Sequence, residues 1–245
     1  KLHKEGINYV NKNSYDKAIE CYNKIIKEQP NNIDIYYNEL GEIYEKKKMF
    51  YEAIVMCYVK IIANNKTNFF ILHKMAICYF NLKQFKLALH YFKKVLNNYQ
   101  IVDVYKNISI CYINLKDYKN AEKSLMAAYN LKQNDFGLLS MMVQLYYFLK
   151  MYDKSINYFN KHDSLNINQT IENNIIKYNA SFAFLGKRDF KKGFELYETR
   201  LKNNNINVQT GLKERVDVPI DNWNGVDRCD NLLVIYEQGY GDNIQ

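Results

Sequence analysis

The residues best equipped for chemistry stand near the end of the chain. There Glu237-Gln238-Gly239-Tyr240-Gly241-Asp242 follows the apolar, β-branched run Asn231-Leu232-Leu233-Val234-Ile235-Tyr236. This pattern predicts a buried strand, a glycine-rich turn and a helix start. Gly239 and Gly241 would let backbone N–H groups at that helix start approach an anionic or polar ligand. Asp242 would take up a proton from a hydroxyl within hydrogen-bond reach. An aspartate after glycine at a helix start also serves as an N-cap, and both readings stand at this point. No third glycine follows, so the dinucleotide-binding fingerprint is not met. Two histidines, His3 and His73, lie 70 residues apart at equivalent places in the repeat described below. Neither has a cysteine or carboxylate at metal-ligand spacing, so they read as groove or surface histidines and no metal site is expected. Of the five cysteines, Cys21, Cys57, Cys78, Cys111 and Cys229, no two form a C-x-x-C pair. They read as buried reduced thiols, which points to a cytoplasmic protein.

Such side chains need a scaffold, and the chain supplies a periodic one. An aromatic residue is followed six positions later by a second aromatic and three positions after that by a small residue. The sets are Tyr9–Tyr15–Ala18, Tyr44–Phe50–Ala53, Tyr79–Phe85–Ala88, Tyr112–Tyr118–Ala121, Tyr146–Tyr152–Ser155 and Phe184–Phe190–Gly193. The small residues recur at intervals of 35, 35, 33, 34 and 38, a period near that of two-helix repeats. In the third unit the spacing predicts helix A from Phe69 to Leu82 and helix B from Gln84 to Asn97. The stripes Leu72, Met75, Ala76, Tyr79 and Phe85, Ala88, Leu89, Phe92, Leu96 give each helix one apolar face. Ser14, Asp117 and Asp189 are placed to cap their B helices. A second small column, Gly6, Gly41, Ala76 and Ser109, is interrupted by Val143 and resumes at Ser181. Small residues allow close backbone approach while the aromatics fill the remaining space, so the aromatic stripe is core and not a cofactor box. One repeat cannot bury its own face, but about three stacked repeats can.

Composition agrees with this. Two prolines and nine glycines leave long helices uninterrupted, and 48% hydrophobic content excludes a disordered chain. No apolar run is long enough for a membrane span, and the first residues lack an apolar signal core. The chain opens partway into a repeat, which points to an upstream segment. Net charge is +8 overall but divides unevenly, with residues 1–213 at +13 and 214–245 at −5. The basic part favours acidic peptides, phosphorylated partners or nucleic acid, although lysines scattered on polar faces also serve simply as solvated surface.

Residues 1–202 resemble the tetratricopeptide repeat family, most closely in the first unit with Gly6-x-x-Tyr9, Tyr15-x-x-Ala18, Tyr22 and Pro30. The resemblance implies an all-α, right-handed superhelix (an α-solenoid) of about six two-helix repeats. Its A helices would line a concave groove that holds an extended peptide. Positions expected to face that groove include His3, Lys4, Asn11, Asn38, His73, Lys74, Asn81, Lys106, Asn107 and Asn114. The family's carboxylate clamp for chaperone tails is not in register here. An asparagine ladder is broken as well, since Asn107 and Asn179 share rungs with Lys4, Glu39, Lys74 and Met141. Asp163 to Glu172 holds an insertion of roughly four residues, set by the 38-residue interval. Helical-repeat RNA binders use units of similar length, but no recurring Gly-x-x-Pro-like turn is present, and nucleic acid is disfavoured.

After residue 202 the repeat pattern stops. Residues 203–230 read as a linker, and 231–245 as the start of an α/β domain. Gly193-Phe194-Glu195-Leu196-Tyr197-Glu198-x-Arg200, Pro219-x-x-x-Trp223-x-Gly225 and the Leu232 to Gln245 segment occur in order. This set resembles tetratricopeptide proteins fused to a heptosyltransferase-like glycosyltransferase with two Rossmann-type lobes. The resemblance implies sugar transfer from a nucleotide-sugar donor in a longer protein, with Asp242 as the base that deprotonates the acceptor. Two such lobes need some hundreds more residues, so residues 1–245 by themselves are expected to be non-catalytic and to need no cofactor. A pure adaptor with an unrelated tail is the alternative.

Overall fold

A computed structural model describes residues 1–165 and 171–199. The expectations resting on Trp223, Cys229, Gly239, Gly241 and Asp242 lie outside the described residues, as do the boundaries at 202 and 230 and residues 166–170 of the predicted insertion. The described chain is all-α. Its helices are α1 (Leu2–Asn11), α2 (Tyr15–Lys27), α3 (Ile33–Lys46), α4 (Phe50–Glu52), a π-helical stretch (Ala53–Tyr58), α5 (Val59–Asn64), α6 (Phe69–Asn81) and α7 (Phe85–Leu96). They continue with α8 (Val102–Asn114), α9 (Tyr118–Leu131), α10 (Phe136–Phe148), α11 (Tyr152–Asp163), α12 (Ile171–Gly186) and α13 (Phe190–Tyr197). α4, the π stretch and α5 form one continuous rod, so the elements make six A/B hairpins at the predicted repeat positions. In the third hairpin helix A starts at Phe69 as predicted, and the other three ends fall one residue inside the predicted ones.

Lys1–Leu138 forms one compact unit, and the described residues from Leu139 onward belong to a second. In the first, each helix packs on its predecessor in chain order, α1 on α2, α2 on α3, and so on through α8 on α9. In the second, α11 packs on α12 and α12 on α13. Both small columns sit at the closest contacts. Ala18, Ala53, Ala88, Ala121 and Ser155 are fully shielded, as are Ala76, Ser109, Val143 and Ser181. Val143, the residue that breaks the second column, has a compensating partner: the Ser155 hydroxyl donates to its carbonyl at 2.8 Å. The first aromatic column is buried or half-buried, each full burial contributing roughly 1.5–3 kcal/mol. The second column departs from expectation, because Tyr118 and Phe190 are 38% and 56% exposed. They stand at the first residue of a B helix, where the hairpin end leaves one side of the ring open.

Every A-to-B turn has the same backbone solution. Asn13, Lys48, Lys83, Lys116, Lys150 and Arg188 all adopt left-handed φ between 55° and 65°, each five residues before the small residue of its repeat. The following N–H reaches back to the first aromatic's carbonyl, as in Ser14 to Tyr9 at 2.8 Å and Gln84 to Tyr79 at 2.9 Å. This closes the A helix as a Schellman-type cap. The sequence concealed it, because glycine is the usual mark of that position and none of the six is glycine. Asp117 and Asp189 cap as expected, accepting from the Asn120 and Lys192 N–H groups. Ser14 occupies the N-cap position, but its side chain makes no capping bond, which corrects the sequence expectation. Asn68, not singled out from sequence, caps α6 through Ile71 N–H.

The π stretch has a reason in the sequence. Ala18 precedes Cys21-Tyr22-x-x-Ile25, and Ala53 precedes Cys57-Tyr58-x-x-Ile61, the same motif displaced by one residue. A wider turn absorbs the extra residue and returns Cys57, Tyr58 and Ile61 to the buried face. Val55 and Met56 bulge outward and are 41% and 54% exposed.

Candidate binding groove

The A helices of the first unit carry their predicted groove residues in one register. His3, Asn38, His73 and Lys106 each precede the second small column by three positions, and Lys4, Lys74 and Asn107 precede it by two. Helical spacing therefore sets them on a common face of α1, α3, α6 and α8.

On that face α3 dominates. Glu39, Glu42 and Glu45 recur every three residues, and each engages a different set of partners. His3 Nε2 lies 2.8 Å from Glu39 Oε2, and its ring meets Tyr22 and Tyr36 edge-on. Burial, and after it the Glu39 carboxylate with its hydrogen bond, drive the Tyr22 hydroxyl far above its ordinary pKa. Asn38 Nδ2 and Lys74 Nζ both donate to Glu42 Oε1, at 3.2 and 2.8 Å. Lys74 also lies 5.0 Å from the Phe70 ring centre, a cation–π contact. Glu45 accepts from the Tyr58 hydroxyl and from the Cys78 thiol. The structure thus brings His3, Asn38 and Lys74 together around α3.

The remaining groove residues behave differently. Lys106 donates to Asp103 at 2.9 Å and to Asp135 at 3.4 Å. Burial pulls the Lys106 pKa down, but the two carboxylates outweigh it and the net shift is upward. His73 tilts against Phe92, and burial lowers its pKa despite the neighbouring Asp103 charge. Asn81 and Asn114 are exposed and turn their amides onto the carbonyls of Ile77 and Ile110, one turn back on their own helices. Asn107 is half-buried and Lys4 is exposed. The Asn38 carbonyl oxygen is buried and has no hydrogen-bond partner. Between these polar rungs stand Ile35 and Phe70, 53% and 60% exposed.

Electrostatically this face is balanced, since Glu42 pairs Lys74 and Asp103 and Asp135 pair Lys106. An acidic ligand would meet few uncommitted cations here. Sequence reasoning missed the organising role of Glu39, Glu42 and Glu45. Their three-residue spacing was visible, but inter-repeat partners cannot be read from one helix. Among the described residues no group of His, Cys, Asp or Glu is arranged to hold a metal ion. None of the described helices is long and apolar enough to cross a membrane.

Comparison with known proteins places these hairpins. Residues 6–48 match the family described as TPR repeat, and residues 71–100 and 102–135 match the family described as tetratricopeptide repeat. No curated protein sequence matches the chain. Among solved structures, a tetratricopeptide repeat protein from Parabacteroides merdae ATCC 43184 aligns with TM-score 0.71 at 18% identity, over 86% of this chain and 84% of its own. PilW, a type IV pilus biogenesis factor, aligns with TM-score 0.64 at 14% identity, over 82% and 91%. YrrB, a TPR protein with an unusual peptide-binding site, aligns with TM-score 0.58 at 19% identity, over 80% and 96%. The chain therefore carries tetratricopeptide repeats in the fold of that solenoid class.

Proposed function

We propose that this chain is a non-catalytic adaptor that holds an extended polypeptide along the face shared by α1, α3, α6 and α8. One observation carries the reading: polar side chains of successive hairpins, among them Asn38 and Lys74 on Glu42, share one face with the exposed apolar side chains of Ile35 and Phe70. An extended peptide supplies an N–H at regular intervals for such rungs, and apolar side chains for Ile35 and Phe70. YrrB, a TPR protein with a peptide-binding site, is in keeping with this reading. The test is a selection from a random displayed-peptide library, with affinities of the winners remeasured on Asn38→Ala/Asn107→Ala. A loss of about tenfold or more is expected. Undiminished binding of every selected peptide would exclude this face.

A second reading rests on the motif set from Gly193 to Gln245, which favours a glycosyltransferase for which the repeats present the substrate. None of the comparisons supports it, and the adaptor reading accommodates the repeats equally well. The decisive measurement is nucleotide-sugar turnover by a protein extended beyond Gln245, with and without Asp242→Asn. Turnover that survives this substitution removes Asp242 from the mechanism.

A further inference from the structure

From Ala53 to Val102 the chain has no aspartate or glutamate, yet it holds seven lysines. Lys83, Lys86, Lys93 and Lys94 lie on α7 or in the turn before it, and all four are exposed. Among the described residues none of these four has a carboxylate at ion-pairing distance. α9 and its leading turn add Lys116, Lys119 and Lys123, also exposed, against two carboxylates, Asp117, which caps its own helix, and the half-buried Glu122. The balanced charge of the groove therefore contrasts with a strongly positive B-helix face.

This face is not flat. Between α7 and α9, with α8 as its floor, lies a cleft of about 220 Å³. Leu96, Ile108 and Tyr112 give it an apolar base, and Lys93, Lys123 and Asn120 stand around them. Lys93 sits 5.5 Å from the Tyr112 ring centre and covers that face of the ring.

We propose that the α7–α9 face is a second docking surface, for an acidic polypeptide segment that sets one apolar side chain into the cleft. Uncompensated like charge opposes the compact state and attracts a partner of opposite sign. The lysines supply compact cations for carboxylates, and no arginine occurs before Arg188 to offer the planar fork suited to phosphates. Single-stranded nucleic acid would further need open aromatic faces for stacking, and the cleft's Tyr112 is already covered. The proposal is independent of the groove reading.

The experiment uses the full chain and a fluorescein-labelled heptapeptide, Glu-Glu-Glu-Phe-Glu-Glu-Glu, followed by fluorescence anisotropy. Saturable binding that weakens with added sodium chloride is expected, together with weaker binding of the all-glutamate peptide. Lys93→Glu/Lys123→Glu should lower affinity at least about tenfold. Lys93→Gln/Lys123→Gln should give a smaller loss, and thermal melts of both variants should match the parent. The groove variant Asn38→Ala/Asn107→Ala should bind the peptide as the parent does, which separates this surface from the groove. Equal binding by the charge-reversed variant would overturn the proposal. So would tighter binding of an oligouridine of equal charge that depends on the same two lysines, since the surface would then serve nucleic acid.

Discussion

Tyr58 lies across Gly41 so closely that a Cβ on the glycine would stand 2.5 Å from the ring. The same pairing recurs one repeat earlier, where a Cβ on Gly6 would lie 2.9 Å from Tyr22. In both repeats the small residue of helix A receives the tyrosine of helix B. In the second repeat the ring is fully buried and its hydroxyl is held by Glu45. Alanine normally favours a helix interior over glycine by about 1 kcal/mol. At Gly41 the sign should reverse, because the ring cannot retreat. Gly41→Ala should destabilise by about 1–3 kcal/mol from overpacking, read from urea denaturation midpoints. Gly6→Ala should cost less, since the contact is longer.

The π stretch predicts an unusual tolerance. Deleting Met56 would leave Ala53 three and four residues before the cysteine and tyrosine, the spacing of Ala18, Cys21 and Tyr22. The rod should then continue as α-helix with the same buried face. The expected result is a cooperative melt close to the parent's, whereas deleting buried Cys57 should lower stability by several times as much.

The six left-handed turns invite glycine. Lys83 has φ of 58°, a conformation that costs a side-chain-bearing residue roughly 1–2 kcal/mol. Glycine removes that cost but adds unfolded-state entropy, for a net gain of about 0.5 kcal/mol or somewhat more in Lys83→Gly. Lys93→Gly, in the interior of α7, should instead lose about 1 kcal/mol. Opposite shifts of the denaturation midpoint in the two variants are the expected outcome.

Burial pushes the Cys57 and Cys111 thiols up to about 12, and the Cys78 thiol, beside Glu45, rises as well. The thiolate is the reactive species, so these three should resist a disulfide reagent in the native chain and react once it is unfolded. Labelling in a Cys229→Ser background, followed by peptide mapping, checks this directly.

Acid should weaken the fold. Burial lowers the pKa of both His73 and His162, so the folded state binds fewer protons than the unfolded chain below the ordinary imidazole value of about 6.5. Stability is therefore undiminished by these groups above that pH and falls as pH drops beneath it. The double variant His73→Gln/His162→Gln should show a flatter dependence of unfolding free energy between roughly pH 6.5 and 5 than the parent.

Local pattern carried most of the architecture. Periodic aromatic and small residues place six hairpins without reference to anything distant, because a helix buries one stripe and the stripe is written every three or four residues. The helix ends of the third repeat, the buried columns and the caps at Asp117 and Asp189 were legible for the same reason. What one strand of text cannot carry is a partner 30 residues away. Only packing set Lys74 on Glu42 and neutralised Lys106 with Asp135. The left-handed lysines belong there too, since a closed helix end imposes that backbone on whatever residue arrives. So does the division of charge: total charge is a property of composition, but a balanced groove and a basic B-helix face arise only when folding decides which ions meet.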